Sequence, residues 1–156
     1  RSSATPYGAT TTTTPENMFK DTPKKNIADI MIAHNIPYVA TASIAYPEDF
    51  IKKLQTAKSI KGTKFIHMIA PCPPGWKYSS EKTIQLGRLA VTTGIFPLYE
   101  VNFAKFTIKK IESRRPVGEY LSLQGRFKHL SKEQIEFIQS ETDKRLEILL
   151  KKEQLC

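Results

Sequence analysis

Cysteine is nearly absent from this sequence. Two in 156 residues, Cys72 and Cys156, exclude a disulfide framework. So few thiols and no export signal give a cytoplasmic, reducing compartment as the expectation. No uninterrupted apolar run approaches the ~18 residues of a membrane-spanning helix. Residues 1–20 have neither the apolar core nor the small-residue cleavage site of a signal peptide. The chain contains no G-x-G-x-x-G, no P-loop and no nucleophile elbow, so nothing marks a common nucleotide or hydrolase site. It opens on Arg1 with no initiating methionine, and acidic residues are outnumbered, 15 against 24 Lys and Arg, for a formal charge of +9. What is present is ordinary: 40% hydrophobic, 25% charged and 10% aromatic residues are enough to bury a core. The length matches the ~100–200 residues of one domain.

The first segment, Arg1–Thr14, is small and polar and ends in five consecutive threonines. β-branched runs disfavour helix. Either a loose tail or an active-site loop accounts for it. Thr22-Pro23 reads as a helix start, and Ile27, Ile30, Met31 and His34 share one face of the helix that follows. Tyr38–Ser43 reads as a buried strand. Pro47, Glu48 and Asp49 open a second helix with Phe50, Ile51, Leu54 and Ala57 on its apolar face. Lys64–Ala70 is nearly continuous in apolar residues, the pattern of a strand covered on both sides. Pro71–Trp76 reads as a rigid loop. Ser79 or Ser80 caps a third helix containing Ile84, Leu89, Ala90 and Val91. Ile95–Val101 and Lys105–Ile111 read as a hairpin across Asn102–Ala104. A short helix follows at Val117–Leu123, and Ser131 and Gln134 form a capping box for a long charged helix carrying Ile135, Ile138, Leu146, Leu149 and Leu150.

Helix alternating with strand predicts an α/β sheet with crossover connections, mostly parallel and doubly wound. Ligands of such sheets bind beyond the carboxyl ends of the strands. Cys72 stands there, between prolines that fix the backbone. A free cysteine is as commonly a packed hydrophobe, so position alone leaves both readings open. His34 and His67 read as structural and His129 as solvent-facing. Cys156 reads as a tail residue, which leaves a zinc or iron–sulfur site incomplete in this chain. The basic residues are spread along the chain. They read as a solvated surface or as a landing site for an acidic partner or nucleic acid.

Four segments in order carry a resemblance. They are Thr5–Thr12 (TPYGATTT), Ala33–Ser43 (AHNIPYVATAS), Ala70–Trp76 (APCPPGW) and Arg114–Leu130 (RRPV…QGRFKHL). Together they resemble the β subunits of the pyruvate:ferredoxin oxidoreductase (pyruvate synthase) family, within the 2-oxoacid:ferredoxin oxidoreductases of anaerobic metabolism. The resemblance implies oxidative decarboxylation of pyruvate to acetyl-CoA and CO₂, with electrons passed through a [4Fe–4S] cluster to ferredoxin. It implies thiamine diphosphate with Mg²⁺, a hetero-oligomer with the other subunits, and coenzyme A and a 2-oxo acid as substrates. It assigns Cys72 as one cluster ligand and sets Ser2, Ser3 and Thr5 beside the thiamine cofactor. The Gly-Asp-Gly and Asn-Thr-Gly elements and the other three cluster cysteines are missing. The expectation is therefore the C-terminal portion of a longer subunit, inactive alone, with the main catalytic residues upstream of Arg1. Residues 1–113 belong to the thiamine-diphosphate-binding α/β domain and 114–156 to a helical extension. In this setting residues 1–14 are expected to pack poorly, and apolar sheet edges to lie exposed. No membrane or nucleic acid is implied; the alternative is a small basic α/β binding module.

Overall fold

The computed structural model describes residues 5–11 and 18–155. Ser2, Ser3, Cys156 and Thr12–Thr14 of the threonine run lie outside the described residues. The elements run α1 (Ile27–Ala33), β1 (Tyr38–Ser43), α2 (Pro47–Ser59), β2 (Lys64–Ile69), α3 (Pro73–Trp76), α4 (Thr83–Thr92), β3 (Tyr99–Asn102), β4 (Lys105–Ile108), α5 (Val117–Ser122) and α6 (Lys132–Leu155). Single 3₁₀ turns sit at Ser80–Lys82 and Gly125–Phe127.

The strands make one four-stranded mixed sheet in the order β2-β1-β3-β4. β1 and β2 pair in parallel, from Tyr38 opposite Lys64 to Ser43 opposite Ile69, with α2 as the crossover. β3 is antiparallel to both β1 and β4. The mostly parallel sheet read from the alternation is therefore corrected: one pairing of three is parallel. A two-residue link forces β3 and β4 to be antiparallel, since parallel strands need a long crossover. Thr41 fixes β3 against β1 beyond their ladder. Its hydroxyl donates to the Pro97 carbonyl at 2.8 Å and accepts from the Tyr99 amide at 2.9 Å.

β1 is buried along its whole length, as its small and apolar sequence requires. Val39, Val101, Phe106 and Ile108 face one side, where α1 and α6 cover them through Ala28 and Leu149. Tyr38 and Ala40 face the other side, against Ala57 of α2. A third cluster gathers Leu86 and Ala90 of α4, Val117 and Leu121 of α5, and Phe96, Leu98 and Phe127. β4 alternates exposed and buried, the pattern of a strand with one wet face.

Three readings of faces change. On α2, Ile51 and Leu54 are 52% and 44% exposed while Lys53 is 5% exposed, so the helix buries a lysine in place of two of its apolar residues. The ammonium donates to the Thr41 carbonyl at 2.9 Å and to Asp49 at 2.7 Å, which makes that burial tolerable. On α1 the N-cap is Asn26, four residues after the expected start; Ala28 is the buried residue, and Ile30 and His34 are exposed. β2 is an edge strand, only half-buried, with Met68 40% exposed and no further strand beyond it among the described residues. The exposed apolar edge expected from the sequence is thus on β2, whereas β4 is covered by α6, whose Glu153 accepts from the Ile108 amide at 2.7 Å. The long charged helix begins as read: Gln134 accepts from the Ser131 amide at 2.9 Å and its own amide donates back to the Ser131 hydroxyl at 3.3 Å.

Candidate functional site

β2 delivers the chain to Pro71, which is buried, and then to Cys72, which is exposed. The expected rigid loop is instead one turn of helix, α3, with Cys72 at its N-cap and Pro73 at its first position. Proline suits that position because its missing amide is one the helix start leaves unpaired anyway. The Trp76 amide donates to the Cys72 carbonyl at 2.9 Å, and Lys77 ends the turn in a left-handed conformation, φ +56°. The thiol lies over Gly75, where an added Cβ meets the Cys72 sulfur at 3.3 Å. The sulfur is therefore presented on a short, closed turn at the carboxyl end of a strand.

A second turn packs onto the first. The Gly125 amide donates to the Lys77 carbonyl at 2.9 Å. A Cβ at Gly125 comes within 2.7 Å of Lys77 Cβ, so only glycine permits this approach. The next residue, Arg126, is 5% exposed. Its guanidinium lies 3.9 Å from the Trp76 ring centroid and 4.8 Å from that of Phe127. Its Nε donates to Gln124 at 2.9 Å, and Nη2 reaches the Tyr120 hydroxyl at 3.4 Å. Burial holds its pKa below the usual value, against the attraction of Tyr120, Tyr78 and Cys72.

The N-terminal loop closes over these turns. Both the amide and the hydroxyl of Thr10 donate to the Arg126 carbonyl, at 3.0 and 3.3 Å. The Gly8 amide donates to Lys20 and the Lys20 amide to Ala9, at 2.7 and 3.0 Å. Ala9 is 1% exposed within the α4–α5 core, and Tyr7 meets Phe137 edge-on at 5.2 Å. The poor packing expected for this loop is thus corrected for residues 5–11: small residues let the loop nest between the Arg126 turn and α6. Thr5 sits half-buried at its start. Ser2 and Ser3 fall outside the described residues.

Charge accumulates around this site. Lys24 sits 5.9 Å from the Phe96 ring centroid, and His67 packs edge-on to the same ring at 5.1 Å. Burial, then Arg145 and Arg126, lower the Lys24 pKa. Burial, then Lys24, lower that of His67. His67 is thus a packed strand residue as read, and His129 is exposed against Phe19 as read. Among the described residues, no three of His, Cys, Asp and Glu gather as a metal site. An exposed cysteine sulfur on a fixed turn, with the buried Arg126 guanidinium stacked on Trp76 of the same turn, suits one ligand of an anionic iron–sulfur group. The described residues complete neither that set nor an acidic set for Mg²⁺.

Arg126 enters the sequence reading only as part of the QGRFKHL segment of the resemblance, with no role of its own. Its aromatic neighbour Phe127 was the available signal, but Trp76, the ring that seats it, lies 50 positions away. A separate cavity of about 360 Å³ lies on the α2 side of the sheet, lined by Asp49, Lys53, Glu100 and Lys109 among others.

No family model matches the chain. Curated relatives do. Pyruvate synthase subunit PorB of Methanocaldococcus jannaschii is 53% identical over 153 residues, which are 96% of this chain and 51% of that protein. Ketoisovalerate oxidoreductase subunit VorB of Pyrococcus furiosus is 51% identical over 145 residues, 89% of this chain and 47% of that protein. Pyruvate synthase subunit PorB of Methanosarcina barkeri is 45% identical over 152 residues, 92% of this chain and 51% of that protein. The chain spans about half the length of the curated relatives it matches.

Proposed function

The chain belongs to the β-subunit family of the 2-oxoacid:ferredoxin oxidoreductases, and from that premise we propose that it forms part of an enzyme that oxidatively decarboxylates a 2-oxo acid. Pyruvate is the proposed substrate, giving acetyl-CoA and CO₂, with ferredoxin as electron acceptor. The observation that carries the reading is 53% identity to a pyruvate synthase subunit across nearly the whole chain. Relatives named for ketoisovalerate make a branched 2-oxo acid the competing substrate.

In this reading residues 1–113 are the later part of a thiamine-diphosphate-binding α/β domain, and residues 114–156 its helical extension. Cys72 supplies one thiolate to a [4Fe–4S] cluster, which when bound carries single electrons. The exposure of its sulfur on a closed turn supports that role, because a stiff ligand loop moves little when the charge changes. Thr5, with Ser2 and Ser3, flanks the thiamine cofactor, and the chain's anchoring of residues 8–10 steadies that flank. The remaining cluster ligands and the Mg²⁺ set are attributed to sequence outside this chain, so no chemical step is assigned to its residues. The working unit is a cytoplasmic hetero-oligomer with the other subunits. No helix among the described residues is long and apolar enough to cross a membrane.

The test is anaerobic co-production of the complete subunit with its partner subunits. Pyruvate-dependent and ketoisovalerate-dependent ferredoxin reduction are then compared. In the Cys72→Ala complex, the iron content and the electron paramagnetic resonance signal of one cluster are expected to fall. Unchanged iron and spectrum refute the ligand assignment, and reduction with neither 2-oxo acid refutes the activity.

A further inference from the structure

Among the described residues, Arg126 is a buried cation with no carboxylate against it. No ion pair within 4 Å involves it among the described residues, and its attractive neighbours are Tyr120, Tyr78 and the Cys72 thiol. Lys24, one of its charged neighbours, is itself a cation. A buried guanidinium without a counter-ion is costly, so a fold that keeps one gains from the charge or from the geometry it enforces. The geometry here is well defined. Two aromatic rings and two hydrogen bonds fix the guanidinium plane, at 3.9 and 4.8 Å from the ring centroids. The carbonyl of the same residue takes both hydrogen bonds from Thr10. One residue therefore touches the N-terminal loop with its backbone and the Cys72 turn with its side chain.

We propose that Arg126 is a positioning residue that locks the N-terminal loop to the Cys72 turn and supplies the positive charge that favours an anionic group at the Cys72 sulfur. The identity of that group as an iron–sulfur cluster rests on the function proposed above; the arrangement itself belongs to this chain. A guanidinium suits the task because it stays charged when buried and stacks on Trp76, which a lysine ammonium does less well.

The charge is read by alkylating Cys72, in the chain without iron, with anionic iodoacetate and with neutral iodoacetamide. Both reagents react with the thiolate, so protonation cancels in the ratio of their rates and the local potential remains. Mass spectrometry of the Cys72 peptide separates it from Cys156. Arg126→Met is expected to lower the iodoacetate-to-iodoacetamide ratio about threefold or more, and Arg126→Lys to keep most of it. Hydrogen exchange of residues 8–10 is expected to speed up in Arg126→Met. A ratio that does not fall overturns the charge role, and unchanged exchange overturns the locking role. Where Arg126→Met does not fold, Trp76→Leu replaces it; this variant unseats the guanidinium, and an unchanged ratio and exchange in it overturn the proposal. Cys72→Ala in the assembled enzyme tests the ligand reading separately. Unchanged iron there, with the ratio effect intact, removes the cluster and leaves the role of Arg126 standing.

Discussion

Lys53 carries its charge into the space between α2 and the sheet, with only 6% of its side chain exposed, against 16% for its partner Asp49. Burial, the largest influence, holds its pKa below the ordinary lysine value, and Asp49 opposes that shift. Removing the lysine leaves the half-buried Asp49 carboxylate and the Thr41 carbonyl without their donor. Lys53→Ala is expected to cost about 3 kcal/mol in urea unfolding, and Lys53→Met less, because the methionine keeps the packed stem. A cost below about 1 kcal/mol for Lys53→Ala contradicts this account. His67 carries a pH dependence. Its folded pKa lies below the ordinary 6.5 through burial and Lys24. Between the two values the unfolded chain binds more protons than the folded one, so stability rises with pH through that window. The denaturation midpoint is therefore expected to drop as the pH falls below 6.5, and to drop less in His67→Gln. Equal acid sensitivity in both proteins rules His67 out as the cause.

The β3–β4 hairpin is the element whose local sequence fits its shape least well. Its two linking residues, Phe103 and Ala104, both have positive φ, +46° and +68°. That turn favours Asn-Gly, because a side chain crowds the backbone there. Phe103 is 70% exposed, so its ring repays little of the strain through packing. The double substitution Phe103→Asn with Ala104→Gly is expected to raise stability by about 1 kcal/mol, measured as a shift in the urea midpoint. A fall in stability means that the ring packs in a way its exposure does not reveal. The start of α6 shows the opposite case. Ser131 and Gln134 satisfy each other's amides across three residues, so the sequence alone locates that end. The strands β1 and β2 were legible as strands for a similar reason, but apolar continuity recorded burial only for β1, since β2 lies at the sheet edge and is half-buried. The burial of Lys53 was not legible, because the Thr41 carbonyl that accepts from it belongs to another element.

At the scale of the whole molecule, the sheet is finished on one side and open on the other. β4 is covered by α6, whereas β2 has no strand on its outer edge among the described residues and leaves Met68 40% exposed. An open, half-apolar edge is a template for pairing with another chain. Sedimentation of the 156-residue chain is expected to show association that grows with concentration. Met68→Lys is expected to reduce it, since a charge on an edge strand opposes stacking of edges. A chain that stays monomeric across the range contradicts the prediction. The +9 charge keeps its meaning as a property of this chain, with the share at half-buried Lys24 and at buried Lys53 and Arg126 bound up with packing and the rest available to solvent or partners.

The sequence by itself determined the order of the strands and the longer helices, the burial of β1, the N-terminal cap of α6 and the position of Cys72 beyond β2. It also carried the motifs of the family. Each of these depends on residues within one turn or one strand of each other, where periodicity and capping act. Tertiary structure alone decided that the sheet is mixed, that α2 buries a lysine, and that the N-terminal loop packs. It alone brought Arg126 to Trp76 and Cys72. Those outcomes depend on partners far apart in the chain, such as Thr10 and Arg126, 116 residues from one another. A buried charge or a nested loop is stable only when such partners are present, and no local pattern records where they will be.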